Sequence, residues 1–171
     1  NDDLLAAKLR MIVNHGQSKR YYHDSIGVNS RLDSIQAAIL KVKLKYLNEY
    51  NQARYQVAST YTEAFSKVSW ITPPMESDFS SHVYHQYTVK LSDDVDRQAL
   101  IEHLNAKGVP SMIYYPVPNH LQKAYDYYGY REGDLPVTED LCSRVISFPI
   151  HTEMDDEQQQ YIIESVLSFK D

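Results

Sequence analysis

Apolar residues recur at steps of three and four from Ile35 through Ile39, Val42, Tyr46, Tyr50, Ala53, Val57 and Tyr61 to Phe65. An α-helix turns once every 3.6 residues, so side chains at these steps line one face. The spacing predicts one long helix from Asp33 to about Ser66. Its opposite face carries Lys41, Lys43, Lys45, Glu49 and Arg54. A stripe of this length marks a core or a subunit interface rather than a membrane or cofactor surface.

Shorter elements flank this helix. Asp2 or Asp3 can cap a helix over Leu4 to Met11, with Leu4, Leu5, Leu9 and Ile12 on its apolar side. Residues 13 to 29 contain Gly16 and Gly27 and no helical stripe, which reads as a long loop or a hairpin. Beyond the break at Thr72-Pro73-Pro74, Val83, His85, Tyr87, Val89 and Leu91 alternate with polar neighbours, the period of a strand. That alternation puts His85 on the inward face as a hydrogen-bonded core residue.

Asp93 or Asp94 caps a helix ended by Gly108. Val109 to Tyr115 reads as a second strand stopped by Pro116 and Pro118. A short helix over Leu121 to Tyr128, a helix from Thr138 to Ser143 and a third strand at Val145 to Phe148 follow. The last helix starts near Asp155 and buries Tyr161, Ile162, Val166 and Leu167. The expected class is α/β, or an α+β small domain: a long leading helix, then a three-stranded sheet packed by helices.

Net charge is −6 with no Lys/Arg cluster, which argues against nucleic-acid binding. No apolar run approaches membrane-spanning length. The single cysteine, Cys142, can make no internal disulfide, which fits a reducing cytoplasmic location; it reads as a small buried apolar residue. The seven histidines and the carboxylates show no metal-ligand spacing, so no metal site is expected. Fifteen tyrosines against four phenylalanines suit interfaces or polyhydroxyl ligands, because each ring carries a hydroxyl that needs a partner.

The segment Ile26 to Leu40 concentrates the chemistry. Asn29 and Arg31 sit two positions apart in a loop opened by Gly27, just before the long helix. Ser30 and Asp33, three apart, read as a capping-box variant that holds the helix entrance rigid. A carboxamide can donate to phosphate oxygens, and a guanidinium can grip a carboxylate or phosphate with two parallel bonds. The plainer readings are a turn-capping Asn and a solvated Arg. Tyr114 and Tyr115 end the expected second strand before a Pro-x-Pro loop, where hydroxyls are presented rather than packed. His120 either lines the same pocket or caps the short helix.

Asn29-Ser30-Arg31-Leu32-Asp33 with Gln36-Ala37-Ala38 resembles the signature of the DegT/DnrJ/StrS sugar aminotransferases. So do Arg10-Met11-Ile12 with Asn14-His15-Gly16-Gln17, and Tyr114-Tyr115-Pro116-Val117-Pro118 with His120-Leu121-Gln122. Gly129-Tyr130, Gly133-Asp134-Leu135-Pro136 and Ile146-Ser147-Phe148-Pro149-Ile150 complete the match in the family's order.

The resemblance implies the C-terminal portion of a fold-type I enzyme that uses pyridoxal 5′-phosphate. Residues 1–31 would be the end of its large domain and an inter-subunit latch, 32–70 a connecting and interface helix, and 71–171 the small domain. The family's lysine that carries the cofactor lies upstream of the matched region, so this chain would hold no catalytic residue. It would be inactive alone.

Asn29 would bind the cofactor phosphate of a neighbouring subunit in a homodimer. Arg31, Tyr114, Tyr115 and His120 would face the substrate. Some members carry His at the position of Tyr114, so substrate identity does not transfer from them. The implied reaction moves an amino group from glutamate to a keto group of a nucleotide-linked sugar, for lipopolysaccharide or another surface glycan. The Asn-Ser-Arg-Leu-Asp form resembles members acting at C3. A dehydratase of the same family and a non-catalytic regulatory or dimerisation module are the alternatives.

Overall fold

The computed structural model describes residues 1–170 and divides into two compact units, one from Asn1 to Leu47 and one from Asn48 onward.

The first unit opens with helix α1 (Asp3–Val13), capped by Asp2, whose carboxylate accepts from Leu5 N–H at 2.9 Å. A small antiparallel hairpin follows, β1 (Gln17–Lys19) and β2 (Tyr22–His23). Helix α2 (Ser34–Lys43) begins three residues later than a capping box on Ser30 requires. Asp33 is itself the N-cap, accepting from Gln36 N–H at 2.8 Å, so Ser30 is left in the preceding loop. A carboxylate this close to the free N–H groups also complements the positive end of the helix.

One tight turn at Leu44–Tyr46 leads into α3 (Leu47–Phe65), so the expected helix is helical almost throughout but tightens near its middle. Its apolar stripe divides at that point. Val57, Tyr61 and Phe65 are buried, whereas Ile35, Ile39 and Val42 are each more than half exposed.

In the second unit a three-stranded sheet forms in the order β3 (Ile71–Thr72), β4 (Tyr87–Leu91), β5 (Val145–Phe148). Both pairings are antiparallel, with Ile71 opposite Leu91 and Tyr87 opposite Phe148. The antiparallel sheet makes this unit α+β. Helices α4 (Arg97–Ala106), α5 (Pro136–Arg144) and α6 (Asp156–Leu167) complete it. The core gathers Tyr61 and Phe65 from α3, Tyr87 and Val89 from β4, Leu100 and Leu104 from α4, and Val166 from α6. Tyr61 meets Tyr87 edge-on at 5.2 Å, and Phe65 lies 5.3 Å from Phe148.

The sheet has the expected number of strands but not the expected members. The strand predicted over Val83 to Leu91 starts only at Tyr87. Tyr84 adopts φ +44°, its N–H bonds to His82 Nδ1, and its hydroxyl donates to Glu76 at 2.7 Å. That local knot buries Tyr84 and turns His85 outward, so His85 is exposed rather than in the core. Val109 to Tyr115 forms no strand. It makes a single bridge, Met112 to Ser147, because Pro110 has no N–H to offer a ladder.

Ile71–Thr72, next to the Pro pair, takes the third place in the sheet. Asp96, not Asp93 or Asp94, caps α4. Gly108, at φ +72°, follows the C-cap of that helix, where a left-handed residue is needed. Asp155 and Gln158 form a reciprocal capping box on α6, whose Tyr161 is half exposed and donates to Lys107 O at 2.7 Å. Cys142 is half-buried.

Candidate functional site

In the first unit the segment Val28–Ser30 is clipped to the end of α1. Val28 N–H donates to Ile12 O at 2.8 Å, His15 N–H to Val28 O at 3.0 Å, and Ser30 N–H to Val13 O at 3.0 Å. Asn29 stands opposite Asn14 in an antiparallel bridge. Two glycines permit this close approach. A Cβ on Gly27 would lie 2.1 Å from Gly16 N, and one on Gly16 would lie 1.8 Å from Ser25 O. Asn29 is thus exposed yet held by backbone bonds on both sides, and exposed Arg31 follows two residues later.

In the second unit Tyr114 and Tyr115 line a cavity of about 320 Å³. Its other wall comes from α5 and the start of β5, through Thr138, Leu141, Cys142 and Val145. Tyr114 also lines a second cavity of about 190 Å³ with His85, Ser111, Ser147 and Ile150. The two tyrosine rings meet edge-on at 5.7 Å.

His120 does not line either cavity. It is buried, stacks edge-on against Tyr130 at 6.1 Å, and places Nε2 2.9 Å from the Glu139 carboxylate. Its Nδ1 is buried without a partner among the described residues. Glu139 also accepts from Gly133 N–H at 2.8 Å and Leu135 N–H at 3.2 Å. The backbone donors, Gly133 foremost and then Leu135, together with the His120 side chain hold the Glu139 carboxyl below the usual carboxylate range.

Two supporting residues escape a reading of the sequence. The periodicity puts Arg54 on the outer face of the long helix. Its guanidinium instead donates to Ile150 O at 3.0 Å and to Tyr84 O and His85 O at 3.4 Å, gathering loops around the smaller cavity. Glu139 left one faint signal, an acidic side chain in the first turn of a helix whose N-cap, Leu135, offers no side-chain acceptor.

Among the described residues no cluster of three or more His, Cys, Asp or Glu could hold a metal ion, and no helix is long and apolar enough to cross a membrane. In the first unit a carboxamide and a guanidinium suit an anionic group, and in the second the phenol hydroxyls beside the cavity suit a ligand bearing hydroxyl groups.

The chain is similar to known proteins over nearly its whole length. The DegT/DnrJ/EryC1/StrS aminotransferase family matches over residues 1–167. A pleiotropic regulatory protein of Geobacillus stearothermophilus is 40% identical over 171 residues, which cover 99% of this chain and 45% of that protein. A dTDP-3-amino-3,6-dideoxy-alpha-D-galactopyranose transaminase of Aneurinibacillus thermoaerophilus is 37% identical over 166 residues, covering 97% of this chain and 44% of the relative. The crystal structure of DesV from S. venezuelae superposes with a TM-score of 0.87 at 34% identity, covering 98% of this chain and 44% of that one. The chain therefore spans less than half the length of the relatives it matches. With a family match running from the first residue to within α6, this chain belongs to the DegT/DnrJ/EryC1/StrS aminotransferase family.

Proposed function

We propose that this chain supplies the C-terminal part of a nucleotide-sugar aminotransferase that takes its amino group from glutamate, works as a homodimer in the cytoplasm, and serves lipopolysaccharide or other surface-glycan synthesis. The observation that carries the reading is the rigid presentation of Asn29 by α1 within a chain that matches the family over residues 1–167. In this reading residues 1–31 end the large domain and form the latch, 32–70 connect, and 71–171 form the small domain.

The residues present fit pyridoxal phosphate by their chemistry: Asn29 offers an amide N–H to a phosphate oxygen without adding charge, and its backbone clip removes the cost of ordering it. When bound, that cofactor supplies the electron sink for moving an amino group between two carbon centres. Arg31 binds an anionic group on the substrate side. Tyr114 and Tyr115 orient sugar hydroxyls from the cavity edge, and His120 supports them from behind. The exposed apolar residues Ile35, Ile39 and Val42 of α2 fit a face covered in the dimer. The Aneurinibacillus relative is named for a 3-amino sugar, which supports C3 as the position aminated.

The Geobacillus relative's name supports a second reading, a regulatory protein built on the same scaffold.

The test is complementation in the full-length protein. An Asn29→Ala, Arg31→Ala subunit and a subunit lacking the cofactor lysine, each inactive alone, should together regain transaminase activity in mixed dimers, since one site per dimer is then intact. Failure to recover any activity would sink the shared-site reading.

A further inference from the structure

The cavity between the tyrosine-bearing loop and α5 is pinned at two points. On one side, two residues before Tyr114 and two after Val145, Met112 N–H donates to Ser147 O at 3.1 Å, and Ser147 N–H donates back to Met112 O at 2.8 Å. On the other, His120 stands immediately after Asn119, the last lining residue of the loop, and Glu139 immediately after Thr138 on the helix. The link between them, at 2.9 Å, joins one wall to the other. Tyr114, Tyr115 and Val117 lie between the two pins on one side, and Thr138, Leu141 and Cys142 face them.

The structure assigns Glu139 the role of a positioning residue: through His120, its carboxylate sets the separation of the two cavity walls and so the placement of Tyr114 and Tyr115. Its three donors explain why a carboxylate is needed. One oxygen accepts from His120 while the pair also accepts from Gly133 and Leu135 N–H, which anchors the turn entering α5. A carboxylate has lone pairs for all of them, and acting as acceptor it selects the His120 tautomer with the proton on Nε2. Nδ1 has no partner among the described residues, so the ring is held through Nε2. His120 is therefore a strut between walls rather than a group presented to ligand. This deepens the substrate reading given above and rests on it for the identity of what the cavity receives.

The claim can be tested without any ligand, by placing 3-fluorotyrosine at position 114 of this chain and recording its 19F resonance. Wild type should give one narrow line. Glu139→Ala should shift or broaden it, and Glu139→Gln, which keeps a carbonyl acceptor, should move it less. His120→Phe leaves the Glu139 bonds to Gly133 and Leu135 in place and breaks only the cross-link, so it should reproduce the Glu139→Ala change even if that variant fails to fold. An unchanged line in both wall-breaking variants overturns the role, as do equal displacements by Gln and Ala or loss of the fold in both Glu139→Ala and His120→Phe. If the resonance behaves as expected while the full-length protein turns over no nucleotide sugar, the substrate reading falls and the strut stands.

Discussion

Asn29 faces Asn14 across an antiparallel bridge, and the backbone on either side of it is bonded to the last turn of α1. The residue expected to reach a phosphate is therefore positioned by a helix end sixteen residues earlier. Rigidity there comes from the backbone, not from its own side chain.

Gly27→Ala should break that arrangement. The added Cβ meets main-chain atoms of Gly16 and Ile12, which cannot rotate away. Overpacking of this kind costs about 1–3 kcal/mol. Hydrogen exchange should show Val28 and Ser30 amides losing protection, while amides of the second unit keep theirs.

Core substitutions should separate packing from hydrogen bonding. Phe65, fully buried against Tyr61 and Phe148, should lose about 3–5 kcal/mol on change to Ala. Tyr61→Phe keeps the ring but removes the bond to Pro149 O, so it should cost only about 1–2 kcal/mol. Urea unfolding followed by circular dichroism checks both, and equal losses would contradict this division.

Arg54→Met keeps much of the stem and removes the polar head. One guanidinium nitrogen, Nη1, donates to Tyr84 O, His85 O and Ile150 O, so its loss should lower stability by roughly 1–3 kcal/mol. Ile150 and His85 should show the largest amide shift changes in NMR spectra.

Acid should weaken the second unit in a defined window. Lys170 and then Ser92 hold the Asp94 carboxyl at about 2, and Gly133 N–H foremost depresses that of Glu139. A depressed carboxylate contributes stability above its unfolded value, near 4, and loses it as pH falls through the folded value. Stability should therefore decline between about pH 4 and pH 2. Asp94→Asn should flatten the lower part of that decline. Asp94 is mostly exposed, so added salt should shrink its share. Denaturant midpoints against pH, with and without salt, check this.

Much of this fold was legible because its signals are local. Asp2, Asp155 and Gly108 mark helix ends by what a single side chain can do within one turn, and each stands at the terminus it marks. The stripe from Val57 to Phe65 is buried as its period requires. The candidate residues Asn29, Arg31, Tyr114 and Tyr115 were picked out by loop chemistry and by resemblance. The strand boundaries were less legible. Alternation around His85 could not reveal that Tyr84 would leave extended geometry to reach Glu76.

The sequence by itself determined most of the helices, the caps at Asp2 and Asp155, the strands through Val89 and Ile146, and the family. Those follow from periods and side-chain groups acting over a few residues. Only the tertiary structure decided that Arg54 turns inward to three carbonyls, that Ile71–Thr72 replaces Val109–Tyr115 in the sheet, and that Glu139 joins His120 across a cavity. Each depends on partners 18 to 96 residues away along the chain. At such separations, competition among donors and acceptors, rather than local pattern, selects the pairing.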